Sequence, residues 1–241
     1  MDSAIKINSL RLSYRKQAVL KGLDWEIPRG SVCALIGLNG SGKTTLLRIL
    51  AGLLEADAGS AYILDRKVKH GESIREASFM FEPSPLDKSL TARQNIKLRC
   101  TALGETVSRA DYLIRKAGLE ITSKPVKNYS VGMRKSLELA YALAGDPELL
   151  VLDEPFDGVD IRGADTLKEI INSYKAEGKT VLLTEHNFTL IEDVAERFGV
   201  LYDGRIIADI SAETVAAEYG DLATAFKTSI DNHDRSFTLR N

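Results

Sequence analysis

Nine consecutive residues carry the strongest chemical signal in the chain. Gly37-Leu38-Asn39-Gly40-Ser41-Gly42-Lys43-Thr44-Thr45 fits G-x-x-x-x-G-K-[ST], the pattern of a phosphate-binding loop. Glycines at 37, 40 and 42 let the backbone turn tightly and lie close against a polyphosphate. The N–H groups of the loop and the start of the following helix then face the anion, where the helix dipole favours negative charge. Lys43 has the reach for β- and γ-phosphates, and Thr44 offers a hydroxyl to Mg²⁺. A second signal lies downstream, where the apolar run Leu149 to Leu152 ends in Asp153 and Glu154. A carboxylate beside a phosphate loop holds Mg²⁺, directly or through water. Its neighbour can orient and deprotonate an attacking water. A strand that merely ends in solvated acids is the plainer alternative, and the phosphate loop upstream weighs against it.

These residues need strands and helices to position them. Ser31 to Ile36 reads as a buried strand before the loop. Leu46, Leu47, Ile49, Leu50 and Leu53 recur at helical spacing after it, with Gly52 near the helix end. Residues 4 to 36 read as mostly β, in short strands that include Tyr14 and close at Pro28-Arg29-Gly30. Gly59 to Leu64 and Ala77 to Phe81 read as further strands. From about residue 90 to 145 the periodicity turns helical, over 92–103, 109–118 and 133–144, which makes an inserted helical block. A helix over 162–176 and a buried strand, Thr180 to Thr184, follow. Asn187 stands where it would cap a helix running towards Glu196. Phe198–Tyr202 and Arg205–Ala208, joined by Asp203-Gly204, predict a hairpin. From about Thr228 the chain is polar and reads as a loose tail, and His70 and His233 read as solvated.

Several further stretches gain meaning together. Asn128-Tyr129-Ser130-Val131-Gly132-Met133-Arg134-Lys135 stands between the two anchors. Phe156-Asp157-Gly158-Val159-Asp160 follows the acids, and His186 follows the Thr180–Thr184 strand. In order and spacing these elements, with Tyr14 and Glu82, resemble the ATP-binding subunit of an ABC transporter over nearly the whole chain. The resemblance implies an α/β fold: a P-loop NTPase (ABC ATPase) core with an N-terminal antiparallel β subdomain and an inserted helical subdomain. It implies one domain over 1–241. The RecA-like core with its β subdomain takes about 1–88 and 146–228, the helical signature subdomain 89–145, and a tail 229–241.

The resemblance also implies roles. Tyr14 stacks on adenine. Gly37 to Thr45 hold the phosphates of ATP, and Thr44, Asp153 and Glu82 hold Mg²⁺. Glu154 is the catalytic base, and His186 contacts the γ-phosphate and the attacking water. Ser130 and Gly132, in the signature, bind the γ-phosphate of a second copy, so that two ATPs lie between two subunits. Two departures stand out. Glu82 replaces the glutamine usual at its position, adding negative charge near the γ-phosphate. Val131 and Met133 replace the first glycine and the glutamine of the signature. The Tyr-Ser-x-Gly-Met form resembles exporter ATPases for antibiotics, peptides and lipids, whose membrane part is a separate permease. Phe79, Met80, Phe81 and Leu86 would help form the groove that receives that permease, with ordinary core as the alternative for the two phenylalanines.

Composition agrees with a partner of this kind. The chain has 241 residues, 44% of them hydrophobic and 27% charged, with a formal net charge of −2. No basic excess points to nucleic acid. Two cysteines, Cys33 and Cys100, make no disulfide framework and favour a reducing compartment. No apolar run approaches the ~20 residues of a membrane span. The resemblance implies a location on the cytoplasmic face of a membrane, held there by the permease. A second identical subunit is the expected partner, and an ABC ATPase with weak hydrolysis acting on a non-transport partner is the alternative.

Overall fold

The computed structural model describes residues 2–15 and 17–238. Two long strands, β1 (Ser3–Tyr14) and β2 (Gln17–Pro28), open the chain, followed by β3 (Val32–Ile36) and α1 (Lys43–Leu50). β4 (Ala58–Ile63), β5 (Arg66–Lys67) and β6 (Ala77–Met80) lead to three helices, α2 (Ala92–Ala102), α3 (Arg109–Lys116) and α4 (Val131–Leu143). β7 (Leu149–Asp153), α5 (Ile161–Ala176), β8 (Thr180–Thr184) and α6 (Phe188–Glu192) come next. The chain finishes with β9 (Arg197–Tyr202), β10 (Arg205–Ser211), α7 (Ala212–Thr214) and α8 (Leu222–Thr238).

β3, β7 and β8 are nearly unbroken apolar runs, the composition of parallel strands covered on both faces. They form the middle of a sheet ordered β10-β9-β3-β8-β7-β6, in which only β10 runs antiparallel. Alternation divides their side chains between two cores. Val32, Ala34, Ile36, Leu150, Leu152, Val181 and Leu183 face the helices α2 to α5. Cys33, Leu35, Leu149, Val151 and Leu182 face α1 and a second, antiparallel sheet ordered β2-β1-β4-β5. This is the α/β core with an antiparallel β layer and an inserted helical block.

Local chemistry explains the helix boundaries. Thr91 and Gln94 form a reciprocal capping box at the start of α2. Asp160 caps α5 by accepting from the Gly163 N–H at 2.9 Å. α1 stops in a Schellman turn: Gly52, at φ +70°, donates to Ile49, and Leu53 donates to Arg48. Asp203 (φ +45°) and Gly204 (φ +71°) supply the two left-handed positions of the β9–β10 hairpin turn.

Four expectations need correction. The N-terminal β region consists of two twelve-residue strands rather than several short ones. A bulge between Ile7 and Leu10, with Ser9 at φ +46°, breaks the apolar alternation without ending the strand. Asn187 occupies the N-cap position of α6, but its side chain makes no capping bond. That helix ends at Glu192, because Val194 and Ala195 must turn into the core before β9 starts. From Thr228 to Thr238 the chain continues α8 and is no loose tail, while 239–241 lie outside the described residues. Leu222 and Ala225 anchor that helix in the core, and Phe226 packs on Phe188 with ring centroids 5.3 Å apart. His233 sets its ring edge against Tyr202, at 5.8 Å.

One close approach ties the two sheets together. Trp25 of β2 lies against Gly199 of β9, where an added Cβ would come within 2.4 Å of the indole. Trp25 also donates from Nε1 to Asp209 Oδ2 at 3.3 Å, so the ring cannot retreat freely. Gly199→Ala is expected to destabilise the fold by about 1–3 kcal/mol, the usual cost of overpacking. Thermal unfolding of the purified variant reads this directly, and an unchanged midpoint would show that the indole has room to give.

Candidate functional site

The site forms where β3, β7 and β8 end. Register sets Leu35 beside Thr184 and Thr184 beside Asp153, so three loops from distant parts of the chain leave the sheet side by side. In open parallel sheets, ligands bind at this carboxyl edge.

The phosphate loop leaves β3 at Gly37. A Cβ there would stand 2.5 Å from the Leu201 carbonyl oxygen and 2.7 Å from Ser41 Oγ, so the turn requires glycine. Gly42, at φ +108°, is the N-cap of α1 and offers no side chain to the first N–H groups of the helix. Leu38, Asn39 and Gly40 form an exposed lip, and Thr45 is half-buried on α1. Ser41 Oγ is buried without a hydrogen-bond partner among the described residues. Unsatisfied N–H groups and an orphan hydroxyl in one turn fit the oxygens of a phosphate. Lys43 Nζ donates to the carbonyls of Gly37 (2.8 Å) and Leu38 (3.3 Å). Burial pulls the pKa of this lysine down, against the opposing charges of Glu154, Asp153 and Glu185.

Asp153 is held by both carboxylate oxygens. Thr44 Oγ1 donates to Oδ2 at 3.0 Å, and Thr184 Oγ1 donates to Oδ1 at 2.5 Å. The Thr44 hydroxyl and the Asp153 carboxylate are hard oxygens of the type Mg²⁺ takes. Among the described residues no cluster of three or more His, Cys, Asp or Glu forms an all-protein metal cage.

Glu154 adopts φ +47°, a sparsely populated conformation for a residue with a side chain. Its N–H donates to the hydroxyl (3.0 Å) and carbonyl (3.2 Å) of Thr184, and its carbonyl accepts from Lys135 Nζ at 3.2 Å. Backbone strain of this kind persists where surrounding contacts over-determine it, as at active sites. His186 Nδ1 lies 4.0 Å from Glu154 Oε1 and 3.1 Å from Glu185 Oε1.

The remaining candidates lie away from this corner. Tyr14, 47% exposed, ends β1, and the neighbouring strand β2 brings Val19 and Leu20 against Gly42. Glu82 follows β6, and its carbonyl accepts from Arg48 of α1 at 3.2 Å. Its side chain lines a groove of about 450 Å³ with Ser84, Leu86, Arg134 and Glu138, and does not bond Thr44 or Asp153. Met80 and Leu86 are core residues, whereas Phe79 and Phe81 are half-buried with ring centroids 6.2 Å apart. Ser130 caps α4, accepting from the Met133 N–H at 3.2 Å. Val131 and Gly132 pack on Gly158. Together they line a separate recess of about 490 Å³ that contains no phosphate-loop residue.

A family profile described as ABC transporter matches residues 20–157. The chain belongs to the ABC transporter ATPases. Among its curated relatives, a lantibiotic transport ATP-binding protein, SrtF of Streptococcus pyogenes, is 39% identical over 206 residues, which is 85% of this chain and 90% of that protein. A daunorubicin resistance ATP-binding protein, DrrA3 of Streptomyces coeruleorubidus, is 37% identical over 226 residues, 91% of this chain and 72% of its own. A solved ATP-binding subunit of an ABC transporter superposes with a TM-score of 0.84 at 28% identity, covering 95% of this chain and 99% of the other.

This ABC ATPase also uses residues that its motifs do not flag. Thr184 bonds Asp153 and receives Glu154, and its signal was only that a parallel strand ends in a hydroxyl. Lys135 and Glu138 sit on the core-facing side of α4, each 8% exposed. Burial pushes the Glu138 carboxyl above its ordinary value, partly relieved by Ser84 and by the charge of Lys135. Charged residues one turn apart on an apolar helix face were the available clue. Cys33, buried in the strand that leads into the loop, has its thiol pushed up to about 11 by desolvation and behaves as core. Among the described residues, no helix is long and apolar enough to cross a membrane.

Proposed function

We propose that this chain is the ATP-hydrolysing motor of an exporter whose membrane permease is a separate chain. The observation that carries the reading is the division of the site. The phosphate loop, Asp153, Glu154 and His186 converge at one sheet edge, while Ser130 and Gly132 line a different recess. Each half lacks what the other has, which two copies facing each other would supply. The names of the relatives, a lantibiotic transporter and a daunorubicin resistance protein among them, support export of a drug- or peptide-like cargo.

On this reading the phosphate loop and Lys43 hold the triphosphate, and Tyr14 stacks on the adenine. Thr44 and Asp153 would hold Mg²⁺, which neutralises charge on the transferring phosphoryl group. Glu82 joins them only if its loop moves towards α1, and the Arg48 bond to its carbonyl links the two already. Glu154 takes the proton of the attacking water, and His186 steadies the γ-phosphate. Ser130 and the N–H groups at the start of α4 reach the γ-phosphate of the partner copy. Closure and reopening of the pair drive the permease through the helical block and the groove beside Glu82.

Association is the direct test. With Glu154→Gln to suppress turnover, saturating ATP is expected to convert the monomer to a dimer by light scattering, whereas ADP leaves it monomeric. Ser130→Glu in the same background should block dimerisation without weakening ATP binding to the monomer. A monomer at saturating ATP, with the permease also present, would overturn the proposal.

A further inference from the structure

Glu185 is a third carboxylate at this sheet edge and has no role so far. It follows β8 directly, and only 1% of it is exposed. One oxygen, Oε1, accepts from the N–H of His186 at 2.8 Å and of Asn187 at 3.2 Å. The same oxygen lies 3.1 Å from His186 Nδ1. The other, Oε2, is buried with no hydrogen-bond partner among the described residues. Burying an acceptor without a partner costs stability. A hydroxyl or apolar side chain would fill the place without that cost. The charge is nonetheless felt at the reacting end of the site, since it acts on Lys43.

We propose that Glu185 is a positioning residue: it accepts the Nδ1–H of His186, fixes the ring tautomer, and leaves Nε2 as the atom facing the γ-phosphate. The two nitrogens of a histidine are distinct, and the bond made by one decides the state of the other. A carboxylate holding Nδ1–H is the common device for orienting a working imidazole. Glu154 does not compete for this task. It stands 4.0 Å from the same nitrogen, beyond hydrogen-bond distance, and is kept for the water. The proposal rests on the reading of His186 as the γ-phosphate contact.

Ring-nitrogen NMR of ¹⁵N-histidine-labelled protein tests it. The chain has three histidines, and His186→Gln assigns the relevant signals. In the native protein, the His186 proton is expected on Nδ1. Glu185→Gln, whose side-chain carbonyl still accepts, should retain it, whereas Glu185→Ala should release the ring to the Nε2–H tautomer. In ATPase assays Glu185→Ala should lower kcat by about tenfold or more with little change in KM, while the glutamine variant stays within about threefold, the pattern of a lost orienting bond. A bare Nδ1 in the native protein overturns the proposal, as does an unchanged kcat in the alanine variant. If Glu185→Ala does not fold, the native and glutamine spectra decide alone. Full activity in His186→Ala would instead remove the γ-phosphate role, and the spectra would still report whether Glu185 holds the ring.

Discussion

Glu154→Gln should cut ATP hydrolysis by about 10²-fold or more and leave ATP binding intact, a typical loss for a missing general base. The substitution preserves shape while removing the proton acceptor. It also spares the backbone anchors of this residue. The bonds to Thr184 and Lys135 use the main-chain N–H and C=O of Glu154, so the left-handed turn at φ +47° persists in the variant. A defect would therefore report chemistry rather than misplacement. Phosphate release under single-turnover conditions, paired with equilibrium binding of a fluorescent ATP analogue, separates the two. Near-normal turnover would remove Glu154 from the role and leave His186 as the remaining candidate.

Lys43→Ala should weaken ATP binding by about ten- to a hundredfold. Hydrogen bonds to charged groups contribute about 1.5–3 kcal/mol each, and about 1.4 kcal/mol is a factor of ten. The ammonium is already poised over the loop, on the carbonyls of Gly37 and Leu38, so binding needs little reorganisation. Its charge is disfavoured by burial, and a triphosphate would relieve that cost. For this reason the variant should lose affinity without a matching loss of thermal stability in the free protein. Titration with Mg-ATP, followed by thermal unfolding with and without nucleotide, checks both halves. Unchanged affinity would contradict the assignment of the loop.

Much of this was legible because the signals were contiguous. The phosphate loop is one stretch of chain between an apolar strand and an apolar helix. β3, β7 and β8 announced themselves as apolar runs, and Asp203-Gly204 named its own turn. What was missed depended on context from elsewhere. Leu222, Ala225 and Phe226 carried helical spacing, but the polar residues that follow masked it, and only their burial on the core extends α8 to Thr238. Asn187 had the right residue type for a cap, yet its side chain makes no capping bond. Glu185 looks from its neighbours like a solvated acid at a strand end. It is buried because β3 and β7 close around β8 from more than a hundred residues away in sequence on one side. No local pattern contains that information. The Glu82 groove was inferred from family resemblance, and of the four apolar residues expected to form it Leu86 lines it, whereas Phe79 and Phe81 are half-buried outside that lining.

The strand order has a consequence for how the protein matures on the ribosome. β8 is inserted between β3 and β7, so the segment made last of the three is the one that separates the other two. Until Thr184 has emerged, Asp153 lacks the hydroxyl that aligns it, and β3 has no neighbour on that side. Nascent chains that end before residue 184 therefore carry a complete phosphate-loop sequence without the Thr184 hydroxyl that aligns Asp153. This central strand pairs only with strands made earlier and distant in sequence, so its contacts are non-local and carry the loop-closure cost that slows folding.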